Sequence, residues 1–568
     1  MLSLMLPFAA MAQADYAKKI KLYETIQPIG DTPFGENVNL YTGELTFLQT
    51  DIEFAGSGPT IVLARDMISS PIDTYNYSSS SIDTFGRWSL TIPRIEVLVK
   101  STSSEPGTNW QVPIYASPTS VPTPSAARCT HFGIPYDVNE ETWTWWREGY
   151  EFTTERGQKQ QMLKRVAGNT LKPTMLKPDG TPYAFPIVTQ QNWQFGCLAT
   201  TSNGQAGEGF LAVSPEGTKY YLDYLVGVPA SPIYESIPGE TRPITHRRMA
   251  ATMFVSRIED KFGNFLTYTY AGTKLVSINA SDGRSVTIQW RQDGVHRIDS
   301  ITVQPAGGAG RVWQYQYSGN ELVGVTLPDA SRWEFSIGNS PKPVMLTNSC
   351  QIRTAGSTVG PEGTFTLKAP SGLSGTFLLS GAYHARSYVP SECRVFSGFY
   401  AEDHFPLFGT SSLIRKTFSG PGIPTMIWNY AYSSAVGSTT QDTCAQSGTC
   451  TDTRWVDVTN PDGSKDRHTL STRWGAMEGK TIKVERSHGG VLKRTDLLTY
   501  AAPDRGPYPA DLGAPLDDVE ANGWKNRTWT PILNSVIIQD GVRFSSTVEE
   551  FDVYARPVRT TKSSVPAP

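Results

Sequence analysis

Between Leu266 and Ile337 the chain repeats itself, and a repeat of this period restricts the folds open to it more than any other feature. Three segments carry the same pair of apolar anchors: Leu275 and Ile278, Ile298 and Ile301, Leu322 and Val325, with matching anchors 23 or 24 residues apart. An aromatic stretch precedes each pair: Tyr268 and Tyr270, then Trp290, then Trp313, Tyr315 and Tyr317. Asp282 and Asp329 each follow the leucine of their unit by seven residues. A fixed period of this size marks stacked supersecondary units, each too small to bury its own apolar face. Such arrays build surfaces and shells.

The rest of the chain reads in the same register. Apolar residues alternate with polar ones at Leu45 and Phe47, at Ile61 and Leu63, and through Trp88, Leu90 and Ile92. Alternation of this kind predicts strands. Ile95, Val97 and Val99 resume the pattern after Pro93, which predicts an edge position or a bulge there. Pro178-Asp179-Gly180-Thr181, Pro215-Glu216-Gly217-Thr218 and Pro461-Asp462-Gly463-Ser464 are tight-turn signals next to strand-like runs. Trp428, Tyr430 and Tyr432 have the spacing of Trp313, Tyr315 and Tyr317, so each set lies on one face of a strand. Helical periodicity is scarce, with Asp15 to Thr25 the one short candidate. The expected fold class is all-β with predominantly antiparallel strands.

Charge excludes one class of partner. The formal net charge is -3 over 568 residues, and Arg242, His246, Arg247 and Arg248 form the one notable basic cluster, read as a solvated loop between strands. A nucleic-acid binder would carry a basic stripe. No stretch is long and apolar enough for a transmembrane helix.

The N-terminal run LSLMLPFAAMAQA ends in Ala12-Gln13-Ala14, a small-residue cleavage signal, so residues 1–14 are expected to be a signal peptide. The expected location is secreted, periplasmic or cell-surface. Six cysteines fit an oxidising compartment, and none shows Cys-x-x-Cys or metal-ligand spacing. Proximity along the chain pairs Cys444 with Cys450, Cys350 with Cys393 and Cys129 with Cys197, although the sequence leaves the connectivity open.

The repeat residues resemble the RHS, or YD-repeat, family. Its Y-x-Y…G…L-x-x-I…D-G pattern is matched by Tyr268, Tyr270, Gly272, Leu275, Ile278, Asp282 and Gly283. Arg257 to Asn264 resembles the family's lead-in to a first repeat. Asn39 to Arg65 resembles its N-terminal portion, and Gly86-Arg87-Trp88 its Gly-x-Trp. The resemblance covers most of Asn39 to Leu346 and returns near Phe551. It implies a wound β-sheet, part of a hollow shell that encloses a toxin segment. It also implies a non-enzymatic secreted scaffold for toxin delivery or intercellular interaction, with a C-terminal core or toxin encoded downstream as partner. The chain departs from the pattern in having few clear repeats and no C-terminal core motif, which suggests the N-terminal piece of a larger shell. The expected division is 15–115 as an N-terminal β region, 129–250 as a hairpin-rich region and 251–345 as the YD-repeat segment. Residues 346–568 are read as further β-rich sequence, with Phe551 to Pro557 starting another repeat.

No motif announces catalysis. Gly-x-Ser-x-Gly, His-Glu-x-x-His and a phosphate-cradling loop are missing, and His131, His384 and His404 lack metal-ligand spacing. No cofactor is expected. Ser487-His488-Gly489-Gly490 reads as a turn. The aromatic run around Trp143, Trp145 and Tyr150 supports a second reading, a cell-surface adhesin whose rings stack on a glycan. Packing inside a sheet accounts for the same residues.

Overall fold

The computed structural model describes residues 30, 32–68, 84–100, 110–114, 116–117, 123–133, 150–166, 169–235, 244–338, 344–345, 362–388, 394–396, 400–402, 407–434, 451–503, 505–508 and 529–567. Every strand pairing between named strands among them is antiparallel, and the fold is all-β. The expected signal peptide, the Asp15–Thr25 helix, Cys350, Cys393, His404, Cys444, Cys450, Trp143 and Trp145 lie outside the described residues.

Two sheets hold the molecule. A four-stranded sheet contains Glu36–Val38, Leu45–Phe54, Ile61–Ile68 and Ser89–Thr91 in chain order. The alternation read from the sequence buries one of its faces: Leu45, Phe47, Ile61, Leu63, Trp88 and Leu90 are all buried. The second sheet has 28 strands and is not closed into a barrel. Pro93 is where the chain passes from one sheet to the other. The strand Arg94–Lys100 after it has neighbours on both sides, Ile244–Glu259 and Glu151–Thr153, so it is neither an edge strand nor bulged. Pro93 lacks an N–H but its carbonyl still accepts from Val255 N at 3.0 Å.

Ile244–Glu259 is the branch point of the large sheet. One of its edges pairs with Lys219–Glu235. Its other edge is shared between Arg94–Lys100 and Phe265–Ala271. His246 to Arg248 belong to this strand, not to the loop expected for the basic cluster, and Arg242 lies outside the described residues. From Arg94–Lys100 the pairings run through Glu151–Thr153 to Lys159–Gln161. The same segment continues as Leu163–Lys164 and pairs onward through Ile187–Val188, Gln194–Leu198 and Gly209–Val213 to Lys219–Glu235. On these strands Phe152, Phe195 and Tyr220, with Trp193 just before Gln194–Leu198, pack ring against ring. This is the first lobe.

From Phe265 onward the chain is a long meander ending at Pro557–Pro566, each strand pairing with the next along most of its length. Two pieces step aside. Arg332–Ile337 pairs directly with Gly363–Lys368, while Val344–Met345 pairs with Leu407–Gly420. Arg394–Phe396 and Tyr400–Glu402 form a separate hairpin. Turn chemistry sets the reversals. Gly180, Gly217, Gly283 and Gly463 take the positive φ that these turns demand, and Asp179, Asp329 and Asp462 each accept the backbone N–H two residues on.

Directly opposed residues of an antiparallel pair lie on the same face. The register therefore traces one face from Tyr315, Val325 and Trp333 through Phe335, Leu367, Phe365, Phe377, Lys416 and Trp428. It continues on the same side through Tyr430, Val458 and Val456 to His468, Val484, Asp496, Ile537 and Phe544. This inner face carries the buried anchors Leu275, Ile278, Ile298, Ile301, Leu322 and Val325. It packs against the four-stranded sheet in one shared core.

Candidate functional site

The repeat aromatics divide into two jobs. Tyr268 and Tyr315 are buried, at 6% and 4% exposure, and burial pushes both hydroxyls to higher pKa. Tyr270, Trp290 and Tyr317 are half-buried and end in a hydrogen bond to the main chain. Tyr270 Oη donates to Val255 O at 2.7 Å, Trp290 Nε1 to Leu275 O at 2.9 Å and Tyr317 Oη to Ile298 O at 2.7 Å. Tyr432 reaches Leu413 O and Tyr500 reaches Thr481 O, each at 2.7 Å. The acceptors share a cause. Each sits opposite a register shift in the preceding hairpin: Val255 opposite Leu222, Leu275 opposite Tyr270, Ile298 opposite Trp290, Leu413 opposite Leu379 and Thr481 opposite Leu470. A bulge interrupts the ladder there, and the ring of the next hairpin satisfies the carbonyl. The sequence shows the tyrosines and the leucine anchors. It conceals the bulges that relate them, and Tyr500 was missed because no second aromatic stands two residues before it.

Four groups of contacts, among others, fix the four-stranded sheet and the loops beside it to the inner face. At the first, Ser57 donates N–H and Oγ to Asp282 Oδ2 at 3.1 and 3.3 Å, and Arg284 reaches the carbonyls of Phe54 and Pro59. Hydrogen bonds from Arg284 hold the Asp282 carboxyl down at about 2. At the second, Arg65 donates to Asp51 Oδ2 at 2.7 Å while Tyr315 Oη donates to the same oxygen at 3.0 Å. The buried Arg65 guanidinium lies 4.7 Å from the ring centres of both Trp88 and Phe335. At the third, Phe34 packs on Trp333, Phe377 and Phe418, and buried Lys416 pairs with buried Glu36 at 3.2 Å. Burial raises the Glu36 pKa against the pull of Lys416. At the fourth, Thr42 O accepts from Thr410 and Ser412, each at 2.6 Å.

Two glycines, Gly43 within the Asn39–Arg65 stretch and Gly86 of the Gly-x-Trp, sit where cover and wall approach closely. Gly43 has φ +73, and a Cβ there would run into Ser412 and the Tyr432 hydroxyl. Gly86 has φ +77, and a Cβ would meet the carbonyl of Asn320. Its neighbour Arg87 pairs with Glu321 at 2.8 Å on the same wall hairpin.

The far end of the meander returns to the first lobe. Residues 552–556 form the turn between Val542–Phe551 and Pro557–Pro566, where the sequence suggested the start of a further repeat. Tyr554 packs with Leu163 and Val188, and Gln190 Nε2 donates to Tyr554 O at 2.9 Å. Arg556, held by Asp552, reaches Asn192 Oδ1. On the inner face of this last hairpin lies a groove of about 360 Å³ lined by Ser535, Ile537, Phe544, Ser546, Lys562 and Ser564, among others.

Cys129 and Cys197 form a disulfide, with Cα atoms 5.5 Å apart, tying residues 123–133 to the strand Gln194–Leu198. Tyr150 is no glycan platform: it is 1% exposed and accepts from Trp110 Nε1 at 3.1 Å, with Phe132 and Phe210 edge-on to its ring. Aromatic packing won there because Tyr150 leads directly into a sheet strand, Glu151–Thr153. His384 is fully buried. Among the described residues no group of three His, Cys, Asp or Glu side chains is placed to hold a metal ion. No family model matches the chain, and no curated protein matches it.

Proposed function

We propose that this chain is a secreted, non-enzymatic scaffold, the N-terminal part of a shell of the RHS/YD-repeat type, serving toxin encapsulation and delivery or interaction between cells. The observation that carries the reading is the return of the meander. The wall leaves the first lobe at Ile244–Glu259, runs through its bolted hairpins and comes back so that Tyr554 and Arg556 touch Gln190 and Asn192 of that lobe. Stacked units that bury one face against a cover and curve round on themselves suit enclosure. The motif glycines Gly43 and Gly86, placed where the cover meets the wall, support the same family reading. The proposed partner is a polypeptide carrying further repeats and a C-terminal toxin segment. The adhesin alternative loses Tyr150 from its platform, and nothing described favours it.

The test is co-expression with the product of the neighbouring downstream reading frame. Joint purification as one hollow particle in electron micrographs is the expected result. A chain that stays separate from that product, while binding cell-wall glycan by itself, overturns the proposal in favour of the adhesin.

A further inference from the structure

The loop of residues 39–43 is fastened to the wall by a buried cluster centred on His384. His384 Nε2 lies 2.5 Å from Thr410 Oγ1 and 3.4 Å from Ser412 Oγ. Both hydroxyls donate to Thr42 O at 2.6 Å, and Leu413 N donates to Gly43 O at 2.8 Å. The hydroxyl protons are thus committed to Thr42, so Nε2 is the donor of the ring. Nδ1 faces Arg454 Nη1, which carries only protons to give. Nδ1 is therefore a bare acceptor, and the two neighbours together fix a neutral ring in one tautomer.

Among the described residues, other charged or titratable groups reach the ring from three elements. Tyr41 arrives from the loop, Arg454 from Thr453–Thr459 and Tyr432 from Ile423–Tyr432, with the Arg454 guanidinium 5.7 Å from each tyrosine ring centre. Beyond Tyr41 stand Arg386 and Glu478, paired with each other at 2.9 Å and both buried. The Glu478 carboxylate is thus already engaged by an arginine.

We propose that His384 is a pH-sensitive latch: a second proton on its ring forces Arg454 away from Nδ1, breaks the Tyr41–Arg454–Tyr432 stack and frees the loop 39–43, loosening the N-terminal cover in mildly acidic surroundings. The inference rests on the geometry of this cluster and stands whether or not the chain belongs to a shell. Burial first, and Arg454 second, hold the His384 pKa well below the ordinary histidine value. Once the latch opens, the ring takes a proton near about pH 6.5. The sign follows. The latch is at full strength above that value and weakens as pH falls below it, by up to about tenfold in the closed-to-open ratio per pH unit. Glu36 acts in the opposite sense, because burial raises its pKa and protonation relieves that penalty.

The experiment is hydrogen exchange read by mass spectrometry from about pH 7.5 to about pH 5, corrected for intrinsic rates, on the full chain. Wild type is expected to show opening that grows up to about tenfold per pH unit below about 6.5 in peptides covering residues 39–45 and 407–413. His384→Gln, whose amide can accept from Arg454 and donate to Thr410, is expected to give a flat profile there. The same acid-driven opening in the variant overturns the proposal. Should the variant fail to fold, histidine ring resonances of the wild type decide. A His384 ring that stays neutral until the loop opens supports the latch, and one that titrates at the ordinary value with the loop still closed overturns it.

Discussion

Tyr317 donates its hydroxyl to the carbonyl oxygen of Ile298 at 2.7 Å, and Ile298 is the residue opposite the register shift at Trp290. One hairpin's irregularity is the next hairpin's anchor point. Tyr317→Phe removes the hydroxyl and keeps the ring. It is expected to cost about 1 kcal/mol in denaturant unfolding, the usual worth of one such bond. Tyr270→Phe, Tyr432→Phe and Tyr500→Phe are expected to behave alike. Phe551 extends the argument: it follows a register shift and stands 19 residues after Ile532, the spacing of Tyr317 to Ile298. Phe551→Tyr is expected to stabilise by up to about 1 kcal/mol.

Arg65 links cover and wall without reaching solvent. Arg65→Met keeps the stem between Trp88 and Phe335 but leaves Asp51 with Tyr315 alone. Breaking a buried pair from one side costs about 3–5 kcal/mol. Calorimetry on Arg65→Met checks this. A shift close to zero means the pair is solvated.

Gly43 tests the cover separately from the wall. Gly43→Ala places a methyl against Ser412 and forces a side chain into a left-handed backbone, so it is expected to detach the loop 39–43. The measurement is limited proteolysis, with cleavage near Gly43 rising while the meander stays intact. Equal protection in the variant contradicts the docking described.

Closing the Cys129–Cys197 disulfide, with a sequence separation of 68, restricts the unfolded chain. A chain-entropy argument assigns such a loop about 4 kcal/mol. Non-reducing peptide mapping should recover residues 129 and 197 in one linked fragment, and reduction should lower the unfolding midpoint.

The sequence made the wall legible because alternation and turn chemistry are local. Leu275, Ile278, Ile298 and Ile301 all lie on the buried face that their spacing required. Pro93 was harder. A proline between two strand-like runs signals an interruption, and only the tertiary structure tells a bulge from a passage between sheets. Tyr150 misled because exposed and buried aromatics have the same pattern in a strand. The His384 cluster was invisible, since His384, Arg454 and Thr42 are far apart in sequence and meet only in the tertiary structure. The return of Tyr554 to the first lobe depends on curvature summed over many strands, which no single segment encodes.

Electron cryo-microscopy of the purified chain, at a resolution that separates neighbouring strands, tests the central claim most directly. The account predicts one uninterrupted wall from Phe265 to Pro566, with the turn 552–556 seated on Gln190 and Asn192 and the four-stranded sheet lying on the inner face. Density that breaks the wall into separate bodies, or leaves that turn away from the first lobe, contradicts it.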